Sequence, residues 1–156
     1  MIFRKATITE LDKLNQFLRD SKGVWGYSDS FLDDFIKKFG LTENHLQTNE
    51  VMMFEENSQL KAIFSFSYKS DEAKLDDFFV APALIRQGLG KLMWQAVLEY
   101  ACAKNWPSFI LISDPNAQGF YEKMGAVKIA DHETFSGRFV PVMRYTIFSK
   151  LLNSAE

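Results

Sequence analysis

The N-terminal stretch MIFRKAT is followed by apolar residues at helical spacing. The first stretch predicts a short strand. The apolar positions after it are three and four residues apart, as on one face of a helix: Leu11, Leu14 and Leu18. We therefore expect an amphipathic helix that ends near Asp20, with Thr9 as its N-cap and Asp12 as the partner in a capping box.

A second helical pattern follows SKGVWGYSDS, whose two glycines interrupt the first helix. This helix is predicted from near Ser30 to Gly40. Its apolar positions form a broad face: Phe31, Leu32, Phe35, Ile36 and Phe39. The next stretch, LTENHLQTN, is ambiguous, and Thr42 is expected to cap one short turn at most.

The middle of the chain has the apolar runs of β-strands. VMMFE and LKAIFSFSY are predicted strands joined by the polar turn ENSQ, and KLDDFFVAP is a third strand that ends at Pro82. In the second of these, alternation places one set of residues on each face: Ala62, Phe64 and Phe66 against Ile63, Ser65 and Ser67.

From Gly88 the apolar spacing becomes helical again and stops before Pro107. The predicted buried stripe contains Leu89, Leu92, Met93, Ala96, Val97, Tyr100 and Ala101. SFILIS is a predicted buried strand, DPNAQGFYEKMG a short helix closed by Gly125, and AVKIA and FVPVMRYTIF two final strands. The order βαα-βββ-α-β-α-ββ indicates one mixed α/β domain over residues 1–156.

Composition narrows the possible functions. The chain has 156 residues, is 47% hydrophobic and 15% aromatic, and carries a net charge of -2, so it is neither a disordered tail nor a basic nucleic-acid-binding domain. No apolar run is long enough for a membrane span. No residues have zinc-ligand spacing, and the single Cys102 fits a reducing compartment. We expect a cytoplasmic domain that binds no metal, nucleic acid or membrane.

The sequence LIRQGLGKLMW, residues 84–94, combines two glycines and two basic residues just before a helix. It does not match a P-loop, because Lys91 is followed by leucine, and it lacks the third glycine of the dinucleotide fingerprint. Gly88 and Gly90 would instead let a pyrophosphate approach the backbone amides at a helix start. The alternative is that the glycines only shape a turn.

Two segments together carry a family resemblance. DPNAQGFYEKMGA at 114–126, combined with VAPALIRQGLGKL, resembles the GNAT superfamily of N-acetyltransferases over residues 1 to about 148. WGYSDSFL at 25–32, SDPNA at 113–117 and SGRFVPVM at 136–143 are most similar to one bacterial branch of acetyltransferase-like proteins. The resemblance implies an α+β fold with a mostly antiparallel central sheet flanked by helices, and acetyl-CoA as co-substrate.

The resemblance also implies roles for individual residues. Phe79 and Val80 would offer main-chain groups to the pantetheine arm, and Asn116 would lie beside that arm. Tyr121 would be the general acid that reprotonates the CoA thiolate. The pyrophosphate would be held by the backbone amides of Arg86, Gln87, Gly88, Leu89, Gly90 and Lys91. From the residues alone, Tyr121 could instead be a core residue and Asn116 a helix cap.

The chain departs from the family pattern at two positions. Ile85 stands where the loop pattern has Gln or Arg, which removes a polar contact but no amide. Lys74 stands where several members have a glutamate base, so Asp76 or Asp77 is the candidate replacement, with His45 or a water as further possibilities. Both aspartates could equally be surface acids.

The leading hypothesis is N-acetylation of a primary amine by direct attack on acetyl-CoA in a ternary complex. Trp25, Tyr27 and Phe31 would form an aromatic wall of the acceptor pocket. Asp29, Asp33 or Asp34 would attract a cationic amine, unless these residues only pack two helices. The rival hypotheses are a non-catalytic acyl-CoA-binding or sensing module and a plain interaction domain. The C-terminal hairpin could pair two subunits as a homodimer.

Overall fold

The structure is a computed structural model that describes residues 1–135 and 137–147. Its helices are α1 Leu11–Lys22, α2 Asp29–Phe39, α3 Glu43–Thr48, α4 Leu89–Ala103 and α5 Gln118–Met124. Its strands are β1 Arg4–Lys5, β2 Glu50–Glu56, β3 Gln59–Lys69, β4 Glu72–Val80, β5 Ser108–Ile112, β6 Val127–Glu133 and β7 Phe139–Thr146. Ser136 of the SGRFVPVM segment and Phe148 of the predicted last strand lie outside the described residues.

The strands form one seven-stranded sheet in the order β1-β2-β3-β4-β5-β7-β6. β4 and β5 pair in parallel, whereas β1 with β2, β2 with β3, β5 with β7 and β6 with β7 pair antiparallel. The predicted α+β class with a mostly antiparallel, helix-flanked sheet is therefore confirmed. The predicted element order is correct except for α3, which forms in the ambiguous LTENHLQTN stretch. No helix in the described part of the chain is long and apolar enough to span a membrane.

The chain divides into two compact units. The first unit contains Met1–Ser67 and Asp77–Met93, and the second contains Tyr68–Asp76 and Trp94–Glu156, as far as those residues are described.

The core of the first unit is formed by α1 on β2 and β3. Leu14 and Leu18 of α1 are completely buried, as are Met53 and Ile63 of the strands. Each such side chain contributes about 1.5–3 kcal/mol relative to an exposed position. Phe79, near the end of β4, packs against this cluster, so the core fixes the strand end that leads into the glycine loop.

The first helix begins differently from the sequence expectation. A 3-10 turn, Ile8–Glu10, precedes α1, so Thr9 lies inside the turn and Thr7 is the N-cap. The Thr7 N–H donates to Glu10 Oε2 at 2.9 Å, which completes the capping box that had been expected from Thr9 and Asp12. Arg4 pairs with the same glutamate at 2.5 Å. The helix also continues past Asp20 to Lys22.

The second helix buries less than its sequence pattern predicts. It is capped by Ser28, whose Oγ accepts from the Phe31 N–H at 3.2 Å. Of its five predicted apolar positions only Leu32 is fully buried, and Phe39 is exposed. After it, Thr42 caps α3 by accepting from the His45 N–H at 3.2 Å, as its position suggested.

The core of the second unit is built around an aromatic residue that the predicted stripe of α4 omitted. Trp94 is 1% exposed, whereas Leu92, which the stripe included, is 60% exposed. The Trp94 ring lies 5.6 Å from Phe109 and 5.4 Å from Tyr145, both on strands of this unit. Burying the largest side chain of the helix outweighs burying a leucine two residues away, which sets the rotation of the helix.

Candidate functional site

The residues predicted to bind acetyl-CoA and an acceptor belong to both units. The glycine loop, the end of β4 and the predicted acceptor residues belong to the first unit. Asn116 and Tyr121 belong to the second. Each group is described within its own unit.

The glycine loop has the backbone of an anion-binding arch. Arg86 and Gly88 both adopt left-handed φ angles, +65° and +83°, on either side of Gln87. Left-handed residues alternating with others turn successive N–H groups towards one side of the chain, which creates a concave site for an anion. A Cβ added at Gly88 would meet no atom within 4 Å, so its surroundings are open.

The loop leads directly into the start of α4. The Leu92 N–H donates to the Gly88 carbonyl at 3.3 Å. The preceding amides of Leu89, Gly90 and Lys91 belong to the first turn of the helix, where N–H groups have no intrahelical acceptor. These groups and the helix dipole favour a negatively charged ligand.

Two exposed basic side chains flank this arch. Arg86 and Lys91 make no ion pair within the described ranges 1–135 and 137–147. The side chain of Gln87 instead donates to the Ala83 carbonyl at 2.9 Å, which holds the loop against the turn before it. The main-chain N–H of Gln87 donates to the Leu84 carbonyl at 3.3 Å, so the predicted pyrophosphate site would use the amides of its other five residues, beside the charges of Arg86 and Lys91.

The end of β4 leads into this loop. The ladder between β4 and β5 covers Ala73, Lys74 and Leu75, and Phe79 and Val80 lie beyond it. The Ala81 N–H donates to the Lys61 carbonyl at 2.8 Å, which attaches the strand end to β3. Phe79 and Val80, the two residues predicted to face the pantetheine arm, therefore lie between that ladder and the glycine loop.

The candidate bases have different surroundings. Asp76 Oδ1 lies 3.7 Å from the Lys74 ammonium. Asp77 Oδ2 accepts from the buried Ser65 hydroxyl at 2.5 Å. His45 Nδ1 accepts from the Thr42 N–H at 3.1 Å as part of the cap of α3. This nitrogen would have to give up that hydrogen bond to act as a base.

The predicted acceptor residues show one aromatic contact and an unexpected cation. Tyr27 and Phe31 stack with centroids 4.2 Å apart. Trp25 is 40% exposed and, within the described part of the chain, contacts no other ring. Lys22, only 8% exposed, places its ammonium 5.4 Å from the Tyr27 centroid and 5.0 Å from that of Phe35. A cation on these rings was not among the predictions from sequence.

The aspartates beside this aromatic pair are partly neutralised. Arg19 lies 2.8 Å from Asp33 and 3.6 Å from Asp29. A cationic amine would therefore have to compete with Arg19 for two of the three candidate carboxylates. Asp34 is exposed. Two of the three aspartates predicted to attract the amine are therefore paired with Arg19 of α1.

In the second unit, Tyr121 lies on α5 and is 8% exposed. Its ring contacts Trp94, with centroids 5.8 Å apart, and Phe120 at 5.4 Å. Burial and the nearby charge of Asp114 raise the pKa of the Tyr121 hydroxyl. The hydroxyl is therefore protonated at neutral pH and is a weaker acid than an exposed tyrosine.

Asn116 is held by a neighbouring aspartate that sequence reasoning did not select. Asp114 Oδ1 accepts from the Asn116 N–H at 2.8 Å and from Asn116 Nδ2 at 2.9 Å. Asp114 also lies at the N-cap of the 3-10 turn Pro115–Ala117. An aspartate two residues before an asparagine, followed by proline, was the available sequence signal for such a cap.

Comparison with protein families gives one match over most of the chain. The family model described as "Acetyltransferase (GNAT) domain" matches residues 17–147. A search of curated proteins finds no match.

Several solved structures share the fold at low sequence identity. PaiA N-acetyltransferase from Thermoplasma acidophilum, in complex with coenzyme A, is 16% identical with a TM-score of 0.76, covering 93% of this chain and 98% of its own. Ribosomal-protein-S18-alanine N-acetyltransferase from Escherichia coli is 19% identical with a TM-score of 0.65, covering 94% and 93%. A mutant of spermidine N-acetyltransferase SpeG from Vibrio cholerae is 19% identical with a TM-score of 0.71, covering 99% and 98%.

Proposed function

The chain belongs to the GNAT acetyltransferase family, and from this premise we propose that it transfers an acetyl group from acetyl-CoA to a primary amine. Residues 1–156 would act as one domain. The single free Cys102 fits a reducing compartment, and the cytoplasm is the proposed location.

The observation that carries the proposal is the geometry of the glycine loop. Gly88 lies in open space, and the amides of Leu89, Gly90 and Lys91 at the start of α4 have no intrahelical acceptor, which fits an anion such as a pyrophosphate. The left-handed φ of Arg86 belongs to a type II turn over residues 84–87, in which the Gln87 N–H donates to the Leu84 carbonyl at 3.3 Å, so it adds nothing to this support. The coenzyme A complex of PaiA supports the same choice of co-substrate.

Acetyl transfer needs an amine in its neutral form beside an activated thioester. The amine nitrogen attacks the acetyl carbonyl, the carbon–sulfur bond breaks, and the amine proton passes to a base or to water. In the proposed mechanism the protein contributes mainly by holding both substrates in line. A main-chain N–H near Phe79 and Val80 would polarise the carbonyl. Asp76 is the first candidate for the base.

Tyr121 would act on the leaving sulfur. Its raised pKa keeps the hydroxyl protonated, but an ordinary tyrosine is already a weaker acid than a thiol by roughly 1.5 pKa units. Donating a hydrogen bond to the thiolate is therefore easier than complete proton transfer. We therefore propose that Tyr121 stabilises the thiolate by donating a hydrogen bond, in place of the complete proton transfer of a general acid.

The acceptor would bind at Trp25, Tyr27 and Phe31. The similar structures include N-acetyltransferases named for acceptors as different as spermidine and the alanine of ribosomal protein S18. Lys22 covers the Tyr27 face with a positive charge, which disfavours an acceptor that carries a second cation at that position.

The test is release of CoA from acetyl-CoA by the purified protein in the presence of a panel of amines. The panel should include polyamines, amino acids, aminoglycosides and peptides with free N-termini. The proposal predicts release that depends on one class of amine and falls in Tyr121→Phe. Release that is equally slow with and without every amine would contradict it.

A non-catalytic acyl-CoA-binding or sensing module is the second candidate. The observation in its favour is the ion pair between Lys74 and Asp76, because the lysine stands at the family's carboxylate position and engages the candidate base. This function predicts tight acetyl-CoA binding without turnover. Lys74→Glu places a carboxylate at that position. If the protein is a binding or sensing module, this variant should show no acetyl transfer. If it is an enzyme with a weak base, the rate of acetyl transfer should increase.

A further inference from the structure

Two segments that the sequence comparison singled out, SDPNA and SGRFVPVM, meet in the second unit. The Ser113 N–H donates to the Pro141 carbonyl at 2.9 Å, and Arg138 Nη2 lies 4.0 Å from Asp114 Oδ2. The segments are about two dozen residues apart in the chain. Both segments belong to the part of the family resemblance that points to one bacterial branch, and none of the family roles described above uses this contact.

Asp114 is the centre of the contact. Its side chain is 8% exposed, and its two oxygens have different partners. Oδ1 accepts both the main-chain and side-chain N–H groups of Asn116, whereas Oδ2 faces the guanidinium of Arg138. A buried carboxylate is stable only with such compensation, because its loss of hydration is costly.

Arg138 is held in place by a tight turn. The Thr134 N–H donates to the Arg138 carbonyl at 2.8 Å, and the Gly137 N–H donates to the Thr134 carbonyl at 2.9 Å. Gly137 has a left-handed φ of +72°, which a residue with a side chain adopts only at a cost. These bonds fix the backbone carbonyl of Arg138, the residue whose guanidinium lies 4.0 Å from Asp114 Oδ2.

We propose that Asp114 and Arg138 are positioning residues for Asn116. Asp114 fixes the orientation of the Asn116 amide, and Arg138 holds the Asp114 side chain in place. The inference rests on the proposed function and on the family resemblance, which implies that Asn116 lies beside the arm of acetyl-CoA. The N-cap of the turn Pro115–Ala117 accounts for the bond from the Asn116 main-chain N–H to Asp114, but a cap does not need the second bond, from the Asn116 side-chain amide to the same oxygen.

The experiment measures the Kd of CoA by calorimetry in a double-mutant cycle. Its members are the wild type, Arg138→Gln, Asn116→Ala and the double variant, with Arg138→Lys as a control that keeps the charge. The proposal predicts that Arg138→Gln weakens binding roughly 10-fold, the size expected for neighbours in one hydrogen-bond network. The double variant should then bind no more weakly than Asn116→Ala, and Arg138→Lys should recover most of the affinity.

The outcomes separate the inference from the proposed function. If the wild type does not bind CoA, the proposed function fails. If the wild type binds and a folded Arg138→Gln has wild-type affinity, or the two single effects add in the double variant, the positioning role is overturned. Asp114→Asn, which keeps the shape and removes the charge, gives a second test should Arg138→Gln not fold. It should weaken CoA binding in the wild-type background but not in Asn116→Ala, and an equal effect in both backgrounds would refute the role.

Discussion

Replacing Gly88 with glutamate tests the anion-binding arch most sharply, because alanine at the same position is a matched control. Gly88 has a φ of +83°, and a Cβ there meets no atom within 4 Å. Both substitutions therefore carry the same backbone cost without a steric clash. That cost is about 1–2 kcal/mol for a residue with a side chain, a fall in Tm of roughly 2–8 °C for a domain of this size.

The two variants should differ only in charge. A carboxylate about 6 Å from a doubly charged pyrophosphate, at an effective dielectric constant of about 40, costs about 2.8 kcal/mol and weakens binding roughly 100-fold. Gly88→Ala should bind CoA within a few-fold of the wild type, since the amides of the arch remain. High salt should narrow the gap between alanine and glutamate, because exposed charges are screened.

The assay is calorimetric titration of CoA into the three proteins at low and high salt, after their melting temperatures show that both variants fold. The account predicts a large loss for glutamate, a small loss for alanine, and a difference that shrinks with salt. Equal affinity for CoA in the alanine and glutamate variants would refute the reasoning and leave the glycines as parts of a turn.

Three further changes have defined outcomes. Tyr121→Phe should lower kcat about 10- to 100-fold, because it removes a hydrogen-bond donor to the leaving sulfur. The Kd of CoA should change little. An unchanged kcat would exclude Tyr121 as a donor to the leaving sulfur. Burial raises the pKa of Tyr121, so the folded protein favours the neutral hydroxyl. The wild type should therefore lose stability above about pH 10, where the tyrosine of the unfolded chain ionises. Tyr121→Phe should lose less stability than the wild type in thermal melts at alkaline pH. Lys22→Met should lower the KM of a dication about 5-fold relative to that of a neutral-tailed amine, since it exposes the Tyr27 face to the substrate; an unchanged KM ratio would contradict this. Arg4 lowers the pKa of Glu10 from 4.5 to about 2, so Glu10→Gln should cost about 1 kcal/mol at neutral pH after allowance for solvent screening. That difference should be present above about pH 4.5 and vanish as the pH falls towards 2 in urea titrations, and a constant difference would be inconsistent with the ion pair.

Local patterns predicted most of the fold because they depend on neighbouring residues. The order of helices and strands along the chain, the glycine turn before α4 and the closure of α5 by Gly125 follow from spacing and turn chemistry within about ten residues. The helix start was misplaced at Thr9 because Thr7 and Thr9 have similar side chains. The choice between them depends on Arg4, which pairs with Glu10 and favours the box that begins at Thr7.

The unpredicted features depend on contacts between distant segments. The stripe of α4 was assigned with Leu92 inside and Trp94 outside, because periodicity does not fix the rotation of a helix that is apolar on most sides. The pair of Asp114 and Arg138 joins two turns that only the folded chain brings together. The loop residues, by contrast, are contiguous, and so the sequence alone could identify them as a site.

The central claim is that this protein moves an acetyl group, and isotopically labelled acetyl-CoA tests it directly. The protein would be incubated with labelled acetyl-CoA and a mixture of amines, and the products analysed by mass spectrometry. The account predicts the labelled acetyl group on the nitrogen of one class of amine, with an equal amount of free CoA. Binding of acetyl-CoA with no labelled product from any amine would contradict catalysis and identify the protein as a sensing module.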